Sequence, residues 1–198
     1  MAEPIDFYFD FSSSYSYIGQ HRLQGLAADH DCRVRWRPLA LGAIFKSLGS
    51  GPHSPETPKG SYVWRDVERS AADAGLPYHW PKPFPFNSLM AARIYYYIAE
   101  TDESKAITWA RAVFESSYAR GNDCSDPAEL ASIAGRLGLD AEDLLDACNR
   151  HEVKQKLKDA TAEAMQKGVF GAPTFFVGGD MYWGADRIDQ MDRSLADK

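Results

Sequence analysis

Alternating hydrophobicity is confined to the two ends of this chain, and that separation limits the folds open to it. Ile5, Phe7, Phe9 and Phe11 fall on one face of an extended segment and Asp6, Tyr8 and Asp10 on the other, which predicts a strand over residues 5–11. Tyr15, Ile18, Leu23 and Leu26 then recur at helical spacing, predicting a helix from Ser14 to about Ala28. "RVRWRPL", residues 33–39, reads as a second strand stopped by Pro38. A strand–helix–strand unit of this kind normally pairs its strands in parallel through a right-handed crossover. At the far end, residues 174–177 and 180–183 flank Gly178-Gly179, a hairpin signal, and a last helix is expected from about Asp186.

Between these ends the pattern is helical. "GSGPHSPETPKG", residues 49–60, and "LPYHWPKPFPFN", residues 76–87, are loops on their Gly and Pro content, with a helix over 61–75 between them. Residues 88–165 are almost wholly helical, with start signals such as Ser125-Asp126-Pro127. The three tyrosines Tyr95-Tyr96-Tyr97 point three ways around such a helix, so one or two are expected in the core. Trp64 and the Trp80–Phe86 loop suit either packing or the wall of a cavity for an aromatic ligand.

Charge and cysteine usage exclude several function classes. The net charge is −6 with no dense Lys/Arg run, so neither nucleic acid nor an anionic membrane surface is an expected partner. No basic start leads into an apolar run, which predicts no export, and no stretch has the length of a membrane span. Cys32, Cys124 and Cys148 are far apart and form no Cys-x-x-Cys, so neither a disulfide framework nor a thiolate metal site is expected and the cytoplasm is the natural compartment. "DHDC", residues 29–32, packs ligand-type residues too closely to wrap one ion, and the five histidines form no His-Glu-x-x-His, so no metal is expected.

Four segments carry a family resemblance that runs nearly end to end. "FDFSSSYSYIG", "RPLALGAIFKSLGSGP", "FPFNSLMAARI" and "GVFGAPTFFVGGDMYWGADRI" resemble motifs of the kappa-class glutathione transferases and the related 2-hydroxychromene-2-carboxylate isomerases. These form a branch of the thioredoxin-like superfamily that includes the thiol oxidase DsbA. The resemblance implies an α/β, thioredoxin-like domain from residues 1–75 and 166–198, with residues 76–165 as an all-helical insertion. Three departures stand out. Ser14 replaces a proline of the family pattern, Ser50 an asparagine and Ala185 a serine.

The resemblance also implies a chemistry. Thioredoxin-like oxidoreductases place Cys-x-x-Cys at a helix N-terminus, where the partial positive charge lowers a thiol's pKa. Here the four residues read Ser13-Ser14-Tyr15-Ser16, which cannot exchange disulfides but can hold another molecule's thiolate. Glutathione is the implied cofactor; its thiol, with an unperturbed pKa of about 8.5, gains from such a site. Ser13 is the implied catalytic and sulfur-binding residue, with Ser12 and Ser14 as alternatives, and a serine there also suits the N-cap of the helix. Ala172-Pro173 is expected to be a cis pair whose backbone meets the cysteinyl unit, and Ala185 and Asp186 to meet the γ-glutamyl end. Ser50 falls at the glycyl end, with Lys46 and Lys59 as possible charges, and Arg187 is read as a salt-bridge partner.

The implied reaction acts on a small aromatic, conjugated pyruvate-type molecule: thiolate addition, ring C–O opening, rotation about a C–C bond, and departure of the thiolate. A homodimer is the implied assembly. Two other readings stay open, a glutathione transferase whose product is the conjugate and a non-catalytic thiol- or peptide-binding module.

Overall fold

The computed structural model describes residues 3–196. Strand β1 (Ile5–Phe9) leads into α1 (Ser14–Asp29), β2 (Val34–Pro38), α2 (Leu41–Ser47) and α3 (Pro58–Asp73). Five helices follow: α4 (Leu89–Ala99), α5 (Glu103–Phe114), α6 (Pro127–Arg136), α7 (Ala141–Ala147) and α8 (His151–Gln166). The chain closes with β3 (Thr174–Val177), β4 (Asp180–Trp183) and α9 (Ile188–Ala196). The sheet order is β2-β1-β3-β4. β1 and β2 are parallel, with Phe7 beside Trp36, while β3 runs antiparallel to both β1 and β4. Both ends of the chain thus build one sheet, with α4–α8 between them, the expected thioredoxin-like arrangement with a helical insertion. Among the described residues no helix is long and apolar enough to cross a membrane.

Both faces of β1 are covered, which is why all five of its residues are buried. Phe7, Phe9 and Phe11 stack among Trp36, Phe175 and Phe114, so one core runs from the sheet into α4 and α5. Tyr8, on the opposite face, packs with Leu39, Leu41 and Ile44 under α2 and with Ala164 and Val169 at the end of α8. Tyr95 and Tyr96 pin α4 to β2 through the Trp36 and Pro38 carbonyls, at 3.1 and 2.7 Å, and Tyr97 turns to Asp143.

Several expected boundaries move. The β1 ladder stops at Phe9, although Phe11 still enters the core, because Pro38 ends the partner strand and Asp10 turns the chain. α2 is too short to show periodicity and was absent from the sequence reading. α3 starts at Pro58, inside the expected loop, because the Thr57 hydroxyl caps the Gly60 amide and Pro58 opens the first turn. The final helix begins as a 3₁₀ turn, Ala185–Arg187, before α9. α5 runs on into a π-helical turn, Glu115–Ala119, which delivers the buried Tyr118 hydroxyl to the Phe11 carbonyl at 3.1 Å.

Asp10 ties three parts of this fold together while only 2% exposed. Its Oδ1 accepts from the Ser12 amide (2.7 Å), the Ser12 hydroxyl (2.8 Å) and the Ser88 hydroxyl (2.7 Å). Its Oδ2 accepts from the Leu41 amide at 2.7 Å. The β1–α1 turn, the start of α2 and the start of α4 therefore share one acceptor group. Asp10→Ala strands buried donors that each cost about 1–3 kcal/mol, so we expect a loss of at least about 3 kcal/mol. Urea denaturation measures it, and a loss below about 1 kcal/mol would show that water or a rearrangement replaces the carboxylate.

Candidate active site

The site begins where β1 gives way to α1. The Ser13 amide donates to the Asp10 carbonyl at 3.0 Å, closing a β-turn that the Asp10 side chain reinforces through Ser12. Ser13 then caps α1: its backbone is extended (φ −95°, ψ 110°) and its Oγ accepts from the Ser16 amide at 3.2 Å. The same hydroxyl donates to the Ala172 carbonyl at 3.0 Å, across 159 residues of chain. The Ala172-Pro173 bond is cis, as expected, and leads directly into β3.

The two adjacent serines are committed elsewhere. Ser12 bonds Asp10, and the Ser14 hydroxyl shares a 2.9 Å hydrogen bond with Tyr78 OH from the proline-rich loop. Ser16 Oγ is buried with no hydrogen-bond partner among the described residues. Of the four serines, Ser13 is the one directed at the cis-proline segment.

A close backbone approach holds that segment in place. Gly19 of α1 faces Pro173 and Phe175, where a Cβ would lie 3.2 Å from Pro173 Cγ and 3.3 Å from Phe175 Cζ. After β4, Gly184 adopts φ 109°, donates to the Pro173 carbonyl at 3.0 Å, and starts the 3₁₀ turn. Glycine is favoured there because a φ of 109° strains any residue with a side chain. Arg22 of α1 braces this turn from outside, donating to the Ala185 carbonyl at 3.1 Å and pairing with Asp189.

These elements enclose a cleft of about 690 Å³, walled by Tyr15 and Ile18 of α1, Tyr62 and Asp66 of α3, Ala172-Pro173, and residues 183–187. Ala172, Pro173, Ala185 and Asp186 thus line one space, and Ser13 adjoins it through its bond to Ala172. Ser50 does not join them. It lies in the exposed loop after α2, with its amide on the Phe45 carbonyl at 2.9 Å, outside the cleft wall. Lys46 and Lys59 also lie outside the wall, and Arg187 pairs with Asp186 at 2.8 Å. Trp64, Trp80 and Phe84 do not wall the cleft; they pack on one another, with the two indoles stacked at 3.8 Å between centroids.

The cleft also holds residues that the sequence does not mark as a site, foremost Tyr15 and Asp66. Tyr15 OH donates to Asp66 Oδ2 at 2.6 Å, joining α1 to α3 across the cleft wall. The available signal was the helical spacing of Tyr62, Asp66, Ser70 and Asp73, which places all four on one face of α3. Burial, then the hydrogen bond and charge of Asp66, push the Tyr15 phenol well above its usual range. None of the three free thiols is activated. Burial pushes Cys124 up to about 11 and raises Cys32 and Cys148 as well, which disfavours the thiolate.

A family model described as a DSBA-like thioredoxin domain matches residues 4–196. The 2-hydroxychromene-2-carboxylate isomerase of Sphingobium xenophagum is 33% identical over 199 residues, covering 100% of both chains. Glutathione S-transferase kappa 1 of Homo sapiens is 25% identical, over 98% of this chain and 91% of the relative. A solved structure of a 2-hydroxychromene-2-carboxylate isomerase superposes with a TM-score of 0.88 at 27% identity, covering 98% of this chain and 94% of that one.

The close approach at Gly19 is directly testable. Gly19→Val forces α1 away from Pro173, at an expected cost of about 1–3 kcal/mol from overpacking. Thermal denaturation measures it, and an unchanged melting temperature would contradict the contact.

Proposed function

This chain belongs to the DsbA-like thioredoxin family and groups with its 2-hydroxychromene-2-carboxylate isomerases, and from that premise we propose that it is a glutathione-dependent isomerase of aromatic pyruvate-type substrates. The observation that carries the reading is Ser13: a helix-capping hydroxyl, with no cysteine beside it, bonded to the carbonyl that precedes a cis-proline. The cleft's volume and its mixture of peptide groups, Asp186 and Arg187 suit a small charged peptide. When bound, glutathione supplies the thiolate nucleophile that the chain itself lacks.

The chain's residues have separable tasks. Ser13 Oγ keeps accepting from the Ser16 amide while its hydrogen is free to turn from the Ala172 carbonyl toward a sulfur. The Ala172 carbonyl then receives a peptide N–H in strand fashion, so no hydrogen bond is lost in the exchange. Asp186 is the acceptor for an ammonium, and the Ala185 backbone at the start of the 3₁₀ turn meets the accompanying carboxylate. Ser50 is carried as the contact for the glycyl end on its motif position alone. Tyr62 and Pro173 supply the apolar wall that an aromatic ring needs. On the same reading the site acts on small molecules in a cytoplasmic homodimer.

A hydrogen bond to a charged group contributes about 1.5–3 kcal/mol, which is about one to two pKa units on the bound thiol. Calorimetric titration with reduced glutathione should show binding to wild type. Ser13→Ala should retain binding but lose most of the ultraviolet thiolate absorbance at neutral pH. Absence of binding at millimolar concentration would overturn the proposal. Binding followed by conjugation of an electrophile, with no turnover of a chromene carboxylate, would make the chain a transferase instead.

A further inference from the structure

Two titratable side chains of the cleft wall touch each other. Tyr15 sits in the first turn of α1, two residues after the capping serine, and its hydroxyl donates to Asp66 Oδ2 at 2.6 Å. Both line the space that Ala172 and Pro173 line. Asp66 Oδ1 accepts from Arg69 at 3.2 Å while Oδ2 accepts from the phenol, so the two oxygens have separate partners. Tyr62 and Asp186 are the other ionisable groups acting on Tyr15. The pair joins two helices, yet a wholly structural clip has no need to stand in a cleft wall.

The substrate class proposed above contains a cyclic hemiketal. Its carbon–carbon double bond is conjugated to no ketone until the ring C–O bond breaks, so ring opening must precede nucleophilic addition, the reverse of the order that the family resemblance implied. That opening moves one proton from the hemiketal hydroxyl to the phenol oxygen that leaves. We propose that Tyr15, oriented by Asp66, carries this proton. The hemiketal O–H gives its proton to the Tyr15 oxygen as Tyr15 passes its own to Asp66. The O–H electron pair becomes the second bond of the new ketone, and the ring C–O pair stays on the departing phenolate. Asp66 then returns its proton through Tyr15 to that phenolate, so no proton is gained or lost overall. Tyr15 is the catalytic group and Asp66 acts through it. The inference rests on the substrate reading but not on glutathione, which takes no part in this step.

Three comparisons test it. On the hydroxychromene substrate, Tyr15→Phe should lower kcat by about 100-fold or more, in the range of general acid–base contributions. On cis-benzylidenepyruvate, which lacks the ring hydroxyl and cannot cyclise, the same variant should stay within about threefold of wild type. Asp66→Asn can still accept from Tyr15 but cannot take its proton, so it should follow the same split. Without glutathione, exchange NMR should show wild type, but not Tyr15→Phe, speeding interconversion of the closed and open cis forms. Equal losses on both substrates, or no loss on either, would overturn the relay. So would a wild type that isomerises the chromene yet fails to speed opening without glutathione, and that outcome leaves the isomerase reading standing. A wild type that binds glutathione but turns over neither substrate would overturn the substrate reading, and the relay with it.

Discussion

The carboxylate of Asp10 accepts hydrogen bonds from three separated parts of the chain, the Ser12 turn, the first amide of α2 and the Ser88 hydroxyl before α4, and the placement of Ser13 follows from that convergence. A buried carboxylate is costly unless its lone pairs are filled, and here four N–H and O–H donors fill them. The arrangement tolerates few alternatives, because a shift of any one element leaves a donor or the acceptor unmatched. The β1–α1 turn is thereby fixed to α4 as well as to the sheet. Tyr118, delivered by the π-helical turn to the Phe11 carbonyl, adds a second tie to the same short segment.

On that turn, one hydroxyl has two faces with different uses. The oxygen of Ser13 completes α1 by accepting from Ser16, and its hydrogen points across to Ala172. Capping and sulfur binding therefore do not compete. A cysteine at the same position would supply a nucleophile of its own; a serine supplies only a donor, and the chain's own thiols, two buried and one partly buried, are all raised. On the proposed reading, the helix end that thioredoxin-like oxidoreductases use to activate a resident thiol acts here on a thiol that arrives from outside.

What local sequence encodes is legible without the fold. The β1 alternation, the α1 spacing and the Gly178-Gly179 hairpin all depend on near neighbours, and all are present, while the cis Ala172-Pro173 bond, also present, was implied by the family resemblance. Boundaries set by tertiary contacts are not legible in that way. β1 ends early because Pro38 and Asp10 interrupt it, and α2 is too short for a period to show. The motif at Ser50 marked a loop whose distance from the cleft depends on how α2 packs on α8, which no local pattern records. Likewise, Tyr15 and Asp66 are 51 residues apart and meet only because α3 lies along α1. The Trp64–Trp80 stack shows the converse: aromatic residues that suit a binding cavity by composition can satisfy each other instead.

On the proposed reading, Ser13 releases the Ala172 carbonyl and turns its hydrogen to an incoming sulfur. A crystal structure of the protein soaked with reduced glutathione tests this most directly. The sulfur is expected within hydrogen-bonding distance of Ser13 Oγ, the cysteinyl N–H on the Ala172 carbonyl, and the Ser16 amide still on Ser13. A sulfur placed away from the α1 N-terminus, with the Ser13–Ala172 bond intact, would contradict it.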